Sequence, residues 1–183
     1  MSCTLIMGGA RSGKSAHAES LAQASGKEVI YIATSQSGDV EMADRIARHR
    51  AQRPAHWLTV EEPLALADTL QRHSRPDNLL LVDCLTLWLS NLLFDRDQPY
   101  PEVGPIALPA RFGEQRQALL QVLPTLPGEV LLVSNEVGMG IVPWGAVSRT
   151  FADEAGRLNQ AVARQCQQVV MLLAGLPLVL KGP

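Results

Sequence analysis

With 183 residues, 46% apolar and 19% charged side chains, and a net charge of −2 spread without any basic block, the chain suits one domain spanning 1–183 and lacks the concentrated positive field of a nucleic-acid surface. A chain of this size buries roughly 70% of its unfolded surface on folding, so it needs neither disulfide nor metal staple. The three cysteines, Cys3, Cys84 and Cys166, are odd in number, scattered and without metal spacing, and read as free thiols in a reducing cytoplasm.

In chain order, the first residues lack a positive stretch and their apolar run stops at glycine, which is not a secretory signal. Leu5 to Met7 reads as a buried strand ending at Gly8-Gly9, and Lys14 to about Ser25 as a helix. Val29-Ile30-Tyr31-Ile32-Ala33 is a second strand, and Glu41 to about Gln52 a second helix. Pro63 to His73 reads as a helix with proline in its first turn. Leu79-Leu80-Leu81-Val82 is a strand ending at Asp83. Asp95 to Pro109 holds four prolines and little periodicity, as a surface excursion does. Val130-Leu131-Leu132-Val133 is a strand ending at Ser134-Asn135-Glu136, and Val169 to Leu173 is another, with a sixth at Leu178 to Leu180. These runs are apolar throughout, not alternating, as strands buried on both faces are. The expected fold is therefore α/β, a mainly parallel sheet with helices on both faces. No run approaches the ~18 apolar residues of a membrane span, so a soluble, cytoplasmic protein is expected.

One motif carries chemistry. Gly8-Gly9-Ala10-Arg11-Ser12-Gly13-Lys14-Ser15 matches G-x-x-x-x-G-K-[ST] between a strand and a helix, the P-loop arrangement. Glycines let the backbone turn its N–H groups onto phosphate oxygens, and the helix N-terminus adds partial positive charge. Lys14 reaches the β- and γ-phosphates, and the Ser15 hydroxyl can ligate Mg²⁺. An acidic residue at a neighbouring strand end completes such a metal site. Asp83 is the first candidate and Glu136 the second, and the alternative for either is a solvated strand-end carboxylate.

Arg45, His49 and Arg53 fall at four-residue spacing in a segment with four arginines. Arginines recognise phosphate by bidentate donation, and their charge favours neutral imidazole, which can attack phosphorus. The same pattern fits a solvated basic helix face, and the residues alone leave both open. His17 is placed to pack against the sheet, His56 to shape a turn before Trp57, and His73 to end a helix. Glu61 and Glu62 suit a helix start; a carboxylate there could instead accept from the two donors of a guanine edge.

Taken together, the P-loop string, Tyr31-Ile32-Ala33-Thr34-Ser35, His49 followed by Arg53-Pro54-Ala55-His56-Trp57, and Asn135-Glu136-Val137-Gly138-Met139-Gly140-Ile141-Val142-Pro143 resemble the bifunctional adenosylcobinamide kinase / adenosylcobinamide-phosphate guanylyltransferase family, and the likeness continues to Gly156-Arg157-Leu158-Asn159-Gln160. The resemblance implies a P-loop NTPase-type fold and two reactions of cobalamin assembly. The first is phosphorylation of adenosylcobinamide with ATP or GTP. The second is transfer of GMP from GTP to adenosylcobinamide phosphate. It implies that His49 carries GMP covalently. It also implies nucleotide contacts at Gly8 to Ser15, at Ala33, Thr34 and Ser35, and at Arg50, Ala51, Gln52 and Arg53. Glu61 would take the base and Asp83 the acidic strand end, where relatives can carry the longer Glu. The resemblance also implies association as a homotrimer. A plain P-loop small-molecule kinase, and a module that senses GTP without turnover, are the competing readings.

Overall fold

The computed structural model describes residues 2–35, 54–95 and 97–182. Its centre is built from the β-branched and leucine runs that cannot remain in water. They form β1 (Ser2–Gly8), β2 (Glu28–Ala33), β4 (Asn78–Asp83), β5 (Glu129–Asn135) and β6 (Gln168–Leu173). With β3 (Leu58–Glu61) and β7 (Leu176–Lys181) they make one seven-stranded sheet in the order β3-β2-β4-β5-β1-β6-β7. Every pairing is parallel except β6–β7.

Successive residues of the central strands enter two different cores. Leu5, Ile32, Leu80, Val82 and Leu132 pack beneath α2 (Leu66–His73), α3 (Leu85–Leu93), α4 (Ala110–Val122) and α5 (Ala146–Gln165). Ile6, Tyr31, Leu79, Leu81 and Val133 pack on the other face with Ala18 and Ala22 of α1 (Lys14–Ala24). α1 crosses β1, β5 and β4. Burial on both faces is what a helix-covered parallel strand requires, and the non-alternating apolar runs carry it.

Several expectations need correction. The helix expected from Pro63 begins at Leu66, and Pro63 lies outside it. The Glu62 carboxylate accepts from the N–H groups of Leu64 at 2.9 Å and Ala65 at 2.7 Å and so satisfies donors at the helix entry. Glu61 closes β3 and does not start a helix. β7 is neither parallel nor buried: it returns antiparallel on β6 with all six residues exposed. His17 is half-buried on α1, because Lys14, Ala18 and Ala22 are the positions that face inward. His56 sits in the turn closed by Trp57 N–H on the Pro54 carbonyl, 3.1 Å, and His73 ends α2, as expected. The expected helix Glu41 to Gln52, with His49, lies outside the described residues.

The proline-rich segment is a surface excursion, anchored among the described residues at two places. Tyr100 stacks edge-on against Phe94 at 5.4 Å and its hydroxyl accepts from Asp95 N–H at 2.7 Å. Further on, the Glu102 carbonyl accepts from Ala146 N–H, 2.9 Å, at the first turn of α5.

Candidate active site

The site begins where β1 runs out. A Cβ on Gly8 would stand 2.4 Å from Ser12 Oγ and 2.8 Å from the Leu172 carbonyl, so only glycine lets the loop fold back this tightly. Arg11 and Gly13 are left-handed, with φ of 57° and 93°, and Ser12 N–H closes the turn on the Gly9 carbonyl at 3.3 Å. A turn of this kind at a helix start is the setting in which backbone N–H groups make an anion-binding concavity. Lys14 is buried, and its ammonium donates to the Gly9 carbonyl at 3.1 Å, across the mouth of the loop. Among the described residues Ser12 Oγ is buried without a hydrogen-bond partner. A β-turn from a distant part of the chain supports the loop: Gly175 N–H, between β6 and β7, donates to the Ser12 carbonyl at 3.0 Å.

The remaining positions come from the register. Ala33 is paired with Asp83 on one side and Glu61 on the other, so Glu61, Ala33 and Asp83 form a row at the carboxyl ends of β3, β2 and β4. Gly8 is paired with Asn135 on the same edge. Asp83 has the same parity as Leu79 and Leu81, so its side chain projects on the face covered by α1. Tyr31, also on that face, donates its hydroxyl to Asp83 Oδ2 at 2.9 Å and fixes the carboxylate. α1 crosses β1, β5 and β4 on this same face, and half-buried Ser15 lies in its first turn beside the phosphate loop.

The other acid behaves differently. Glu136 Oε1 is turned back into its own loop, accepting from Gly138 N–H at 2.6 Å, while Glu136 N–H donates to the Gly8 carbonyl at 3.0 Å. It ties the loop after β5 to the phosphate cradle.

Thr34 is buried, and its hydroxyl is committed. It donates to the Cys84 carbonyl at 2.7 Å and accepts from Cys84 N–H at 2.9 Å, clasping β2 to β4 behind Asp83. Its carbonyl accepts from Asn91 Nδ2 at 2.8 Å. Thr34 thus positions the strand ends, leaving half-buried Ser35 as the more accessible of the two hydroxyls. Arg50, Ala51, Gln52 and Arg53 lie with His49 outside the described residues.

Comparison with known proteins decides the family. A family model described as cobinamide kinase / cobinamide phosphate guanyltransferase matches residues 4–180. The chain belongs to this cobinamide kinase / guanyltransferase family. It is 56% identical over 178 residues to the bifunctional adenosylcobalamin biosynthesis protein CobP of Pseudomonas aeruginosa, covering 97% of this chain and 96% of the relative. It is 42% identical over 179 residues to the bifunctional adenosylcobalamin biosynthesis protein CobU of Escherichia coli, covering 97% and 98%. The fold reaches beyond the cobinamide kinase family. The flagellar accessory protein FlaH of Methanocaldococcus jannaschii superposes with a TM-score of 0.51 at 11% identity, over 99% of this chain and 78% of that one. At that identity the likeness speaks for the P-loop NTPase-type fold alone.

Sequence reading missed one support of the site, the Ala174-Gly175 turn. It had a signal, since two residues between Leu173 and Leu176 are the length of a tight hairpin connection. Glu62 was expected at a helix start, and it serves the entry to α2 through Leu64, Ala65 and Thr69, partners set by how the chain leaves β3.

Proposed function

We infer that this chain is a bifunctional enzyme of adenosylcobalamin biosynthesis, first a cobinamide kinase and then a cobinamide-phosphate guanylyltransferase, and that one nucleotide site at Gly8 to Ser15 serves both reactions. The observation that carries the reading is the phosphate cradle, formed in full at the carboxyl edge of the sheet in a chain of this family. In the kinase step, the cradle's N–H groups and Lys14 stabilise charge on the transferring γ-phosphoryl of ATP or GTP as the substrate alcohol oxygen bonds to its phosphorus, the bond to the β–γ bridging oxygen breaks, the nucleoside diphosphate departs and the hydroxyl proton passes to solvent. In the second step a His49 ring nitrogen bonds to the α-phosphorus of GTP as the bond to the bridging oxygen breaks and pyrophosphate departs. A phosphate oxygen of adenosylcobinamide phosphate then displaces the histidine, giving adenosylcobinamide-GDP.

Ser15 and Asp83 fit Mg²⁺. Both are hard oxygen donors, one in the first turn of α1 and one at the carboxyl end of β4, and Mg²⁺ in phosphate sites characteristically takes one or two protein oxygens together with phosphates and water. The ion would neutralise charge on the departing oxygens. In this reading Glu61, at the outer end of the edge row, accepts from guanine, and Arg50, Ala51, Gln52, Arg53 and Ser35 complete the nucleotide contacts. We further propose a cytoplasmic homotrimer. The three buried free thiols accord with a reducing compartment, and the exposed apolar strand β7 with association.

Incubation with α-labelled GTP and Mg²⁺ tests the reading. Wild type takes up label that is acid-labile and alkali-stable, and His49→Asn takes up none. A well-folded wild type that phosphorylates cobinamide and never labels would be a plain kinase, and one that binds GTP without either turnover would be a sensor.

A further inference from the structure

The loop that follows Glu136 exposes apolar side chains that folding alone would hide. Met139 is 80% exposed, Ile141 98% and Trp144 80%. An accumulation of large apolar groups at this exposure marks a binding surface. The loop cannot drift from the phosphate site, because Glu136 N–H is bonded to the Gly8 carbonyl and Gly138 N–H to Glu136 Oε1. At its far end the Trp144 carbonyl accepts from Arg149 Nη2 at 2.9 Å in the first turn of α5.

There it meets a groove of about 480 Å³ between α5 and the proline-rich segment, within the size range of ligand sites. Val103 and Leu108, both exposed, belong to one wall, and Arg149, Asp153, Glu154 and Arg157 to the other. Two cations stand against two anions. Glu154, which is buried, is paired with Arg157. A polyanion would gain nothing from so balanced a wall, whereas neutral carboxamides, which donate and accept, match it.

We propose that the corrinoid acceptor docks here, resting an apolar face of its macrocycle on the loop of residues 137–144 and setting part of its carboxamide rim in the groove. The proposal rests on the functional reading above, which supplies a large, amide-rimmed macrocycle as the substrate. Position favours this occupant: the surface adjoins the cradle on the edge where the acceptor oxygen must meet phosphate. A charged nucleotide would find here neither convergent N–H groups nor net positive charge.

The test is equilibrium dialysis of the full chain against adenosylcobinamide and, separately, GTP, for wild type, Trp144→Ala and Ile141→Ser. Both side chains are on the surface, so melting temperatures should match wild type. Loss of such a contact should raise the Kd for adenosylcobinamide about tenfold or more, while the Kd for GTP does not follow. Wild-type corrinoid affinity in both variants would overturn the docking site. So would a loss of corrinoid binding accompanied by a fall in sedimenting mass, which would make this face an interface between copies. If wild type holds GTP but neither binds nor phosphorylates adenosylcobinamide, the functional reading itself fails, and that result is distinct from either.

Discussion

Lys14 and Ser12 show how a phosphate site is held ready by its own loop. The Lys14 ammonium lies on the Gly9 carbonyl, where incoming phosphate oxygens would compete for it, and Lys14→Ala should reduce both the kinase and the guanylylation rates by about a hundredfold or more, read by separate assays. Guanylylation left intact would end the idea of one shared site. Ser12 Oγ is buried without a partner among the described residues, a condition that costs about 1–3 kcal/mol. Ser12→Ala should therefore leave the melting temperature unchanged or raise it, while weakening GTP binding measured by calorimetry. Cys84, beneath the clasp with Thr34, makes a pH prediction. Burial, and then the Asp83 charge, push its thiol from the ordinary 9.0 up to about 11. A hydrogen bond with the Cys166 thiol, and then burial, raise Cys3 as well. A thiol raised on folding stabilises fully below its ordinary value and loses that contribution as pH climbs through the folded one. Unfolding free energy should thus fall between about pH 9 and 11, by roughly 2–3 kcal/mol for Cys84 alone, and fall less steeply in Cys84→Ala. The P-loop residues were legible in the sequence because the motif is local. Thr34 was legible only as a position: that its hydroxyl faces Cys84 depends on β2 lying beside β4, fifty residues away.

Among the elements, the central strands announced themselves by apolar runs too dense for one-sided burial, and α1 by the motif that opens it. Three helices went unread. α3, with Leu85, Trp88, Leu89, Leu92 and Leu93 all buried, is apolar nearly all round, so it offers little amphipathic contrast. α4 and α5 follow the proline-rich segment and the glycine-rich loop, whose punctuation masked where they begin. β7 was read as one more strand of a parallel sheet, since an apolar run carries no information about direction or exposure. The tight turn before it matters for the site. Gly13, at φ 93°, lies against Gly175, whose Cα would be 3.3 Å from an added Cβ. Gly13→Ala should lower stability by about 1–2 kcal/mol from the left-handed backbone alone. It should also weaken nucleotide binding beyond what urea unfolding accounts for, because the loop and its buttress move apart together.

At the scale of the molecule, the sheet has unequal edges. β3 is short, which blunts it, but β7 offers six exposed residues including Leu176, Leu178 and Leu180. Native sheets usually protect such an edge, and the trimer proposed here would do so. Sedimentation equilibrium should give three copies for wild type and a smaller species for Leu176→Lys/Leu178→Lys that keeps its far-ultraviolet spectrum. A wild-type monomer would refute the assembly. Nothing in the composition announces this edge, because exposure is a property of the strand order, and position seven is decided by the hairpin.

The two-sided sheet has a kinetic consequence. The phosphate loop lies at the carboxyl end of β1, where α1 begins on one face of the sheet, and the proposed corrinoid groove lies along α5, which packs on the other, so the two substrates would meet at the carboxyl edge. Spent nucleotide can leave by its own side and fresh GTP can enter while the phosphorylated corrinoid stays seated. The architecture therefore favours passing one acceptor through both reactions in a single residence, with the intermediate handed from kinase to transferase without a return to bulk solution.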